Sequence, residues 1–539
     1  MLKKLWKNYS LVIVISFIVA VLNMLHVFIG YAKTPPGTVF LWTGHYYLDY
    51  FEYVQAIAQG QRGEWIWQNY FATDDPSRTF LGIWQFLLYG KIGKLLFLGP
   101  FAAYWFFVFA FTFSFVFLSY MAIEKLLPDS TQIKKMAAFL LTVFAAPFFS
   151  LEMTRSGFAI SNFGFWNDGN NFWERYGAVP YHTLAKILML VVIFLVGDTL
   201  ANLSKLQLKQ VASRSLAAGL IMIYLLIFSP SSTVLLCAAI GLTSIIILIT
   251  GVLKKHHHPG KLILFLLLLF TLVIPAGLAV KNYLATTSYA VVSQYESAWQ
   301  EKPPFSLMFL TIGPIVAAAI LGVRGYLKKL TPVRILFITL VISSYGLFYS
   351  PIPKLLGTTN SRFLTPLSFI LFGVLAVGGF KKIRPLFVLV ILLLLLYLPA
   401  NLQAFKIIMN DDHLFSPISY LPKGIIDGFK FVGGLHGDTV VLLTPSQLLG
   451  SVFPIFAKRH VYVARPNITP NYLEKNIRTS NFYLGAMSNE DALSFLHNNK
   501  IDTVVLTSIE GYNVQVLFRY PFLEEIYRNK DIIIFKVKD

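Results

Sequence analysis

Charge is scarce in this chain. Lys, Arg, Asp and Glu make up 13% of its 539 residues, against 56% hydrophobic residues, whereas an average soluble domain carries roughly 25% charged residues. Cysteine is scarcer still. The single Cys237 leaves no intrachain disulfide to staple any part outside a membrane, and it falls within an apolar run. No P-loop, GxGxxG, zinc-site or HExxH pattern is present. There is no internal repeat and no low-complexity linker.

Uninterrupted apolar stretches of about 18 residues or more do recur along the first 400 positions, the signature of a polytopic membrane protein. The 20-residue criterion predicts about eleven transmembrane helices, near 10–32, 101–122, 136–151, 180–198, 214–229, 232–253, 261–281, 306–323, 333–350, 364–380 and 385–400. The third and ninth are short. The first follows Lys3, Lys4 and Lys7, is too long for a signal-peptide core and lacks a small-residue cleavage site, so it reads as an uncleaved anchor.

The net charge of +19 would suit nucleic acid if spread over a soluble domain, but its placement excludes that reading. Every second connection between spans is basic: together these segments hold nineteen Lys and Arg against Glu124, Asp129 and Asp198. That is the positive-inside pattern of a multi-pass plasma (inner) membrane protein. An odd number of spans puts the N-terminus in the cytoplasm and everything after Asn401 outside. The expected domains are therefore a transmembrane domain at 1–400 and an exterior domain at 401–539.

The connections on the predicted exterior side are distinctive. The first, about 33–100, contains GHYYLDYFEYVQAIAQGQRGEWIWQNYFATDDPSRTF, far longer than the usual link between elements. It holds the acids Asp49, Glu52, Glu64, Asp74 and Asp75, while the middles of the spans are nearly free of ionisable groups. The segments 151–180 and 282–305 are rich in aromatic residues. After Asn401 fourteen Lys and Arg balance thirteen Asp and Glu. Short β-branched runs at 439–443, 460–463 and 503–506 alternate there with helical patterns. Ser488-Asn489-Glu490-Asp491 announces a helix start, and Phe522–Arg528 with Ile532–Val537 reads as a hairpin. A small α/β domain on a largely parallel sheet is expected.

A basic-flanked first span, a large exterior loop with an early acid in an aromatic helix (Asp49-Tyr50-Phe51-Glu52-Tyr53) and Arg362-Phe363-Leu364-Thr365-Pro366 opening a later span resemble the GT-C membrane glycosyltransferases, loosely the protein O-mannosyltransferase and aminoarabinose transferase group. The resemblance covers about residues 10–400. It implies a mostly α, GT-C-like membrane domain and transfer of a sugar from a polyprenyl-phosphate-linked donor to an exterior glycan, lipid or protein acceptor beside the membrane lipid. Many relatives carry two adjacent acids, whereas Asp49 here is followed by Tyr50, so Glu52, Asp74 and Asp75 stand as secondary acids.

Sugar transfer needs a carboxylate to accept the acceptor's proton or to stabilise oxocarbenium-like charge. Asp49 suits this, on a stretch where Tyr46, Tyr50, Tyr53 and Ile57 recur at helical spacing. That spacing predicts an amphipathic helix lying on the interface with its tyrosines at head-group level. A phosphate leaving group calls for a planar, permanently charged partner, which Arg362 offers at the exterior end of a span. Lys354 lies close by in sequence. Arg155 and Arg175 are auxiliary cations for sugar or acceptor, and His45 and His182 could titrate near neutrality or bind a metal with Asp49. No cofactor is implied with certainty; a divalent metal is open.

Two other classes fit the composition. A coupled transporter usually carries ionisable residues within its spans; their absence here leaves an uncoupled flippase of a lipid-linked saccharide. A non-catalytic cell-envelope assembly protein would use the exterior domain for binding.

Overall fold

The computed structural model describes residues 2–43, 47–73, 81–154, 157–165, 169–177, 179–254, 259–287, 289–380, 382–409, 419–437, 440–466 and 468–538. Most of them are helical. Among the described residues seven helices are long and apolar enough to cross a membrane: Pro100–Leu126, Pro180–Ala201, Leu208–Phe228, Pro230–Thr250, Pro259–Ala285, Pro332–Tyr349 and Ile383–Met409. The count rises to nine if residues 9–32 and 305–327, each a bent pair of helices, are one span apiece. The two other expected spans fold as the 13-residue helix Gln132–Phe144 and the 11-residue helix Ser368–Gly378, both shorter than the roughly 20 residues a bilayer requires.

The described chain divides into two compact units. The first comprises Met1–Met24, Val108–Tyr283 and Ser293–Ile407. Apolar helices pack here around a continuous core, and their small polar residues bond across helices: the Thr142 hydroxyl donates to the Phe369 carbonyl at 3.1 Å, and the Thr243 and Thr339 hydroxyls meet at 2.6 Å. Phe305–Ile312 and Pro314–Leu327 meet at a 96° bend. Gly313 sits there at φ +90°, against the Ala146 carbonyl where a side chain would collide. An open apolar groove of about 500 Å³ runs between the helices holding Phe305, Met308, Tyr345, Tyr349 and Phe372. The strands Phe149–Thr154 and Gly157–Asn162 form an antiparallel hairpin.

The second unit comprises Leu25–Phe107, Leu284–Val292 and Ile408–Asp539. Thr38–Phe40 pairs antiparallel with Tyr420–Pro422, joining distant segments. A five-stranded sheet follows. Val440–Leu442 lies parallel to His460–Val461 on one side and to Ile501–Thr507 on the other. Ile532–Val537 then pairs antiparallel with Ile501–Thr507, and Leu523–Arg528 closes the edge. The sheet is mixed rather than largely parallel, because the terminal hairpin read from the sequence docks against a parallel strand. Ser488 caps its helix as expected, accepting the Asp491 N–H at 3.1 Å.

Candidate active site

The helix Tyr47–Gln61 carries Asp49 in its first turn and Glu52 one turn further on. It is packed within its unit on most sides rather than presenting one open apolar face. Every residue from Val54 to Gly60 is buried, Tyr50 donates its hydroxyl to the Leu41 carbonyl at 2.9 Å, and Tyr53 stacks on Phe86 with ring centroids 4.4 Å apart. The tyrosine spacing reports packing within this unit. On one side the helix crosses Trp84–Leu95 so closely that a Cβ on Gly60 would strike the Leu87 carbonyl, and one on Gly90 the Ile57 carbonyl. Another neighbour is the helix Ser446–Phe456, running in the same direction. Tyr47 contacts Gln447 near both N-termini at 3.4 Å, and Arg62 donates to the Pro454 and Ile455 carbonyls near the far ends. Both helices thus turn their N-terminal N–H groups, the positive end of the macrodipole, toward the end that holds Asp49.

A buried polar seam runs along the Asp49 helix. Gln55 accepts from the Trp67 indole at 3.1 Å, and the Gln59 amide exchanges two hydrogen bonds with the Gln68 backbone. Segment 69–72 in turn holds the chain after the strand His460–Val461. Thr469 donates to the Phe71 carbonyl at 2.8 Å and accepts from the Arg465 N–H at 3.2 Å, while His460 Nδ1 lies 3.0 Å from the Ala72 carbonyl oxygen. This turn drives Arg465 into the seam. Its Nη2 reaches Asp49 Oδ1 at 2.8 Å, and its Nη1 donates to Glu52 Oε2.

The two carboxylates differ in setting. Glu52 is buried, whereas the Asp49 side chain is 45% exposed. Burial pushes the Glu52 carboxyl up to about 7 despite the attraction of Arg465, and the neighbouring Asp49 charge adds to the rise. For Arg465 burial acts downward, but Glu52 and Asp49 outweigh it and the guanidinium is raised. One permanent cation therefore serves a buried acid and an accessible one.

Of the residues singled out in the sequence, the structure brings together Asp49 and Glu52. Asp74, Asp75, His45 and Arg155 lie outside the described residues. In the other unit Arg362 forms a two-point ion pair with Glu296: Nε donates to Oε2 at 2.8 Å and Nη2 to Oε1. Thr358 also donates to Glu296 at 2.9 Å, and Asn360 ties the same turn to the Glu301 backbone. Lys354 is exposed, and His182 is half-buried in the first turn of its helix, edge-on to Tyr181 at 4.3 Å. Arg175 is buried, donating to the carbonyls of Thr142, Val143, Ala145 and Asn170 at 2.7–3.1 Å with its guanidinium over the Phe369 ring. It satisfies the last carbonyls of Gln132–Phe144, a cation at a helix C-terminus. Among the described residues no group of three or more His, Cys, Asp or Glu is placed to hold a metal ion.

Sequence reasoning missed Arg465 and Glu296. Arg465 carried one usable signal, its position just past an apolar strand in an α/β pattern, where open sheets place ligand-facing residues. Glu296 carried none beyond being an acid in an aromatic segment.

No family model matches the sequence, and no curated protein matches it. Solved structures do. The oligosaccharyltransferase of Archaeoglobus fulgidus, in a complex with a tethered acceptor peptide, matches at a TM-score of 0.53 and 11% identity, over 94% of this chain and 70% of that one. The fold is that of the GT-C glycosyltransferases. The arabinofuranosyltransferase AftD from Mycobacteria matches at 0.57 and 11% identity, over 97% of this chain but 40% of its own. At these identities a GT-C likeness speaks for the architecture alone.

Proposed function

We propose that the chain is a multi-pass membrane glycosyltransferase that moves a sugar from a polyprenyl-phosphate-linked donor to an acceptor on the exterior face, with inversion at the donor carbon. The acceptor hydroxyl attacks that carbon while the carbon–oxygen bond to phosphate breaks. The bonding pair leaves with the polyprenyl phosphate, and the acceptor's proton passes to Asp49. The observation that carries this reading is the setting of Asp49: a half-exposed carboxylate at a helix start, steadied on one oxygen by a buried arginine. By analogy of architecture alone, the GT-C likeness agrees with this reaction class.

The lipid phosphate is assigned to Arg362 on its own local geometry. Its side chain is 26% exposed and stands in a turn braced against Pro332–Tyr349, the helix that also lines the apolar groove. A groove of that chemistry suits a polyprenyl chain. The segment after Asn401 is assigned to the exterior and the N-terminus to the cytoplasm from the basic connections between the eleven apolar runs of the sequence, with the short helices Gln132–Phe144 and Ser368–Gly378 counted as crossings.

The test is purified protein with polyprenyl-phosphate sugars, compared with Asp49→Asn. Near-complete loss of transfer in the variant is expected. Undiminished transfer would remove Asp49 from the mechanism, and absence of transfer from every donor would favour a flippase or assembly role.

A further inference from the structure

The Asp49 carboxylate is held by a residue from the far end of the chain. We infer that Arg465 is a positioning residue for Asp49, with Glu52 as the buried anchor that sets the guanidinium in place; this rests on the catalytic reading of Asp49. The guanidinium is planar and its two terminal nitrogens diverge at a fixed angle. With Nη1 committed to Glu52 in the buried seam, Nη2 has one direction left, and Asp49 Oδ1 occupies it at 2.8 Å. Arg465 is itself fixed from behind, its backbone N–H and that of Ala464 both donating to the Thr469 hydroxyl at 3.2 Å. With an Arg465 side chain only 4% exposed, this arrangement suits a residue that orients the acid rather than one that greets substrate.

The arrangement also couples Asp49 to the protonation of Glu52. Glu52 faces Asp49 from its own helix and Arg465 from the segment after the strand, and Tyr53 adds its influence on Arg465. With Glu52 neutral the whole cationic charge of Arg465 falls to Asp49, and with Glu52 ionised that charge is shared between the two acids. Glu52 thereby adjusts the base without touching substrate.

Steady-state transfer by Arg465→Lys, Glu52→Gln, Asp49→Asn and the double variant Asp49→Asn/Arg465→Lys tests this. A lysine is a single point charge that cannot span both acids. Arg465→Lys is expected to lower kcat on the order of 100-fold while donor and acceptor KM stay within about threefold. The double variant should be no slower than Asp49→Asn alone, because the arginine acts through the acid. In the wild type kcat is expected to rise with pH near 7 as Glu52 ionises, and Glu52→Gln, which keeps a hydrogen-bond acceptor for Arg465, should flatten that rise. Monodisperse Arg465→Lys with normal kcat, or with kcat kept and KM raised, would overturn the positioning role. If that variant does not fold, an unchanged pH profile in Glu52→Gln overturns it. Transfer that survives Asp49→Asn fails the catalytic reading first, a result separable from all of these.

Discussion

Glu296 closes on Arg362 with both carboxylate oxygens, and its side chain is 8% exposed against 26% for the arginine. The pair gives Arg362 two functions that substitution can separate. Arg362→Gln leaves a buried carboxylate without its cation, which costs about 3–5 kcal/mol and should lower the unfolding midpoint in detergent. Arg362→Lys keeps the charge but loses the planar fork. It should raise donor KM at least about tenfold with little change in acceptor KM. A donor KM unchanged in folded Arg362→Lys would return this residue to a structural role.

The crossing at Gly60 and Gly90 brings each residue against a main-chain carbonyl of the opposite helix. Backbone cannot swing aside as a side chain can. Gly60→Ala or Gly90→Ala should therefore destabilise by about 1–3 kcal/mol and displace the helix that presents Asp49, reducing transfer as well. Gly241→Ala is the control: open space surrounds an added methyl there, so thermal unfolding should be unchanged or slightly improved.

Arg175 tests whether a cation in an aromatic segment serves substrate or fold. Arg175→Met would orphan four carbonyls now satisfied by its guanidinium, at a loss of at least about 3 kcal/mol. Poor yield and a lower unfolding midpoint are expected, with acceptor KM unchanged in the protein that does fold. A raised acceptor KM at an unchanged midpoint would make it an acceptor-binding residue.

Stability should fall as pH rises from about 4.5 to about 7. Glu52 holds its proton to about 7 in the folded chain, whereas an unfolded glutamate releases it near 4.3. Between those values the folded state binds more protons, so its advantage is present at the acid end and lost as the folded group titrates. Glu510, also raised to about 7 by burial, contributes with the same sign. Unfolding midpoints across pH 5–8 in Glu52→Gln and Glu510→Gln should each show a shallower decline than the wild type.

The membrane helices were legible because hydropathy acts locally: a run such as Leu262–Val273 reports its environment whatever packs beside it. The Asp49 helix, the Ser488 cap and the terminal hairpin were legible for the same reason, since each depends on neighbours within a few positions. The ion pairs were not. Arg465 lies 416 positions from Asp49 and Glu296 lies 66 from Arg362, and no period links such partners. The tyrosine spacing of the Asp49 helix was legible, but the partners of those tyrosines were not. A helix packed on other elements and one with an open face share the same spacing, and the partners here are Phe86 for Tyr53 and the Leu41 carbonyl for Tyr50.

The distance along the chain between Asp49 and Arg465 also has a meaning in time. A ribosome delivers the two acids first and their shared cation only after several hundred more residues have been made. Until then Glu52 has no arginine to enter the seam with, and the helix has no clamp. A nascent chain, or one cut short before Arg465, therefore carries the acids without the group that orients them. Within this chain the site is complete only once Arg465 has followed its two acids.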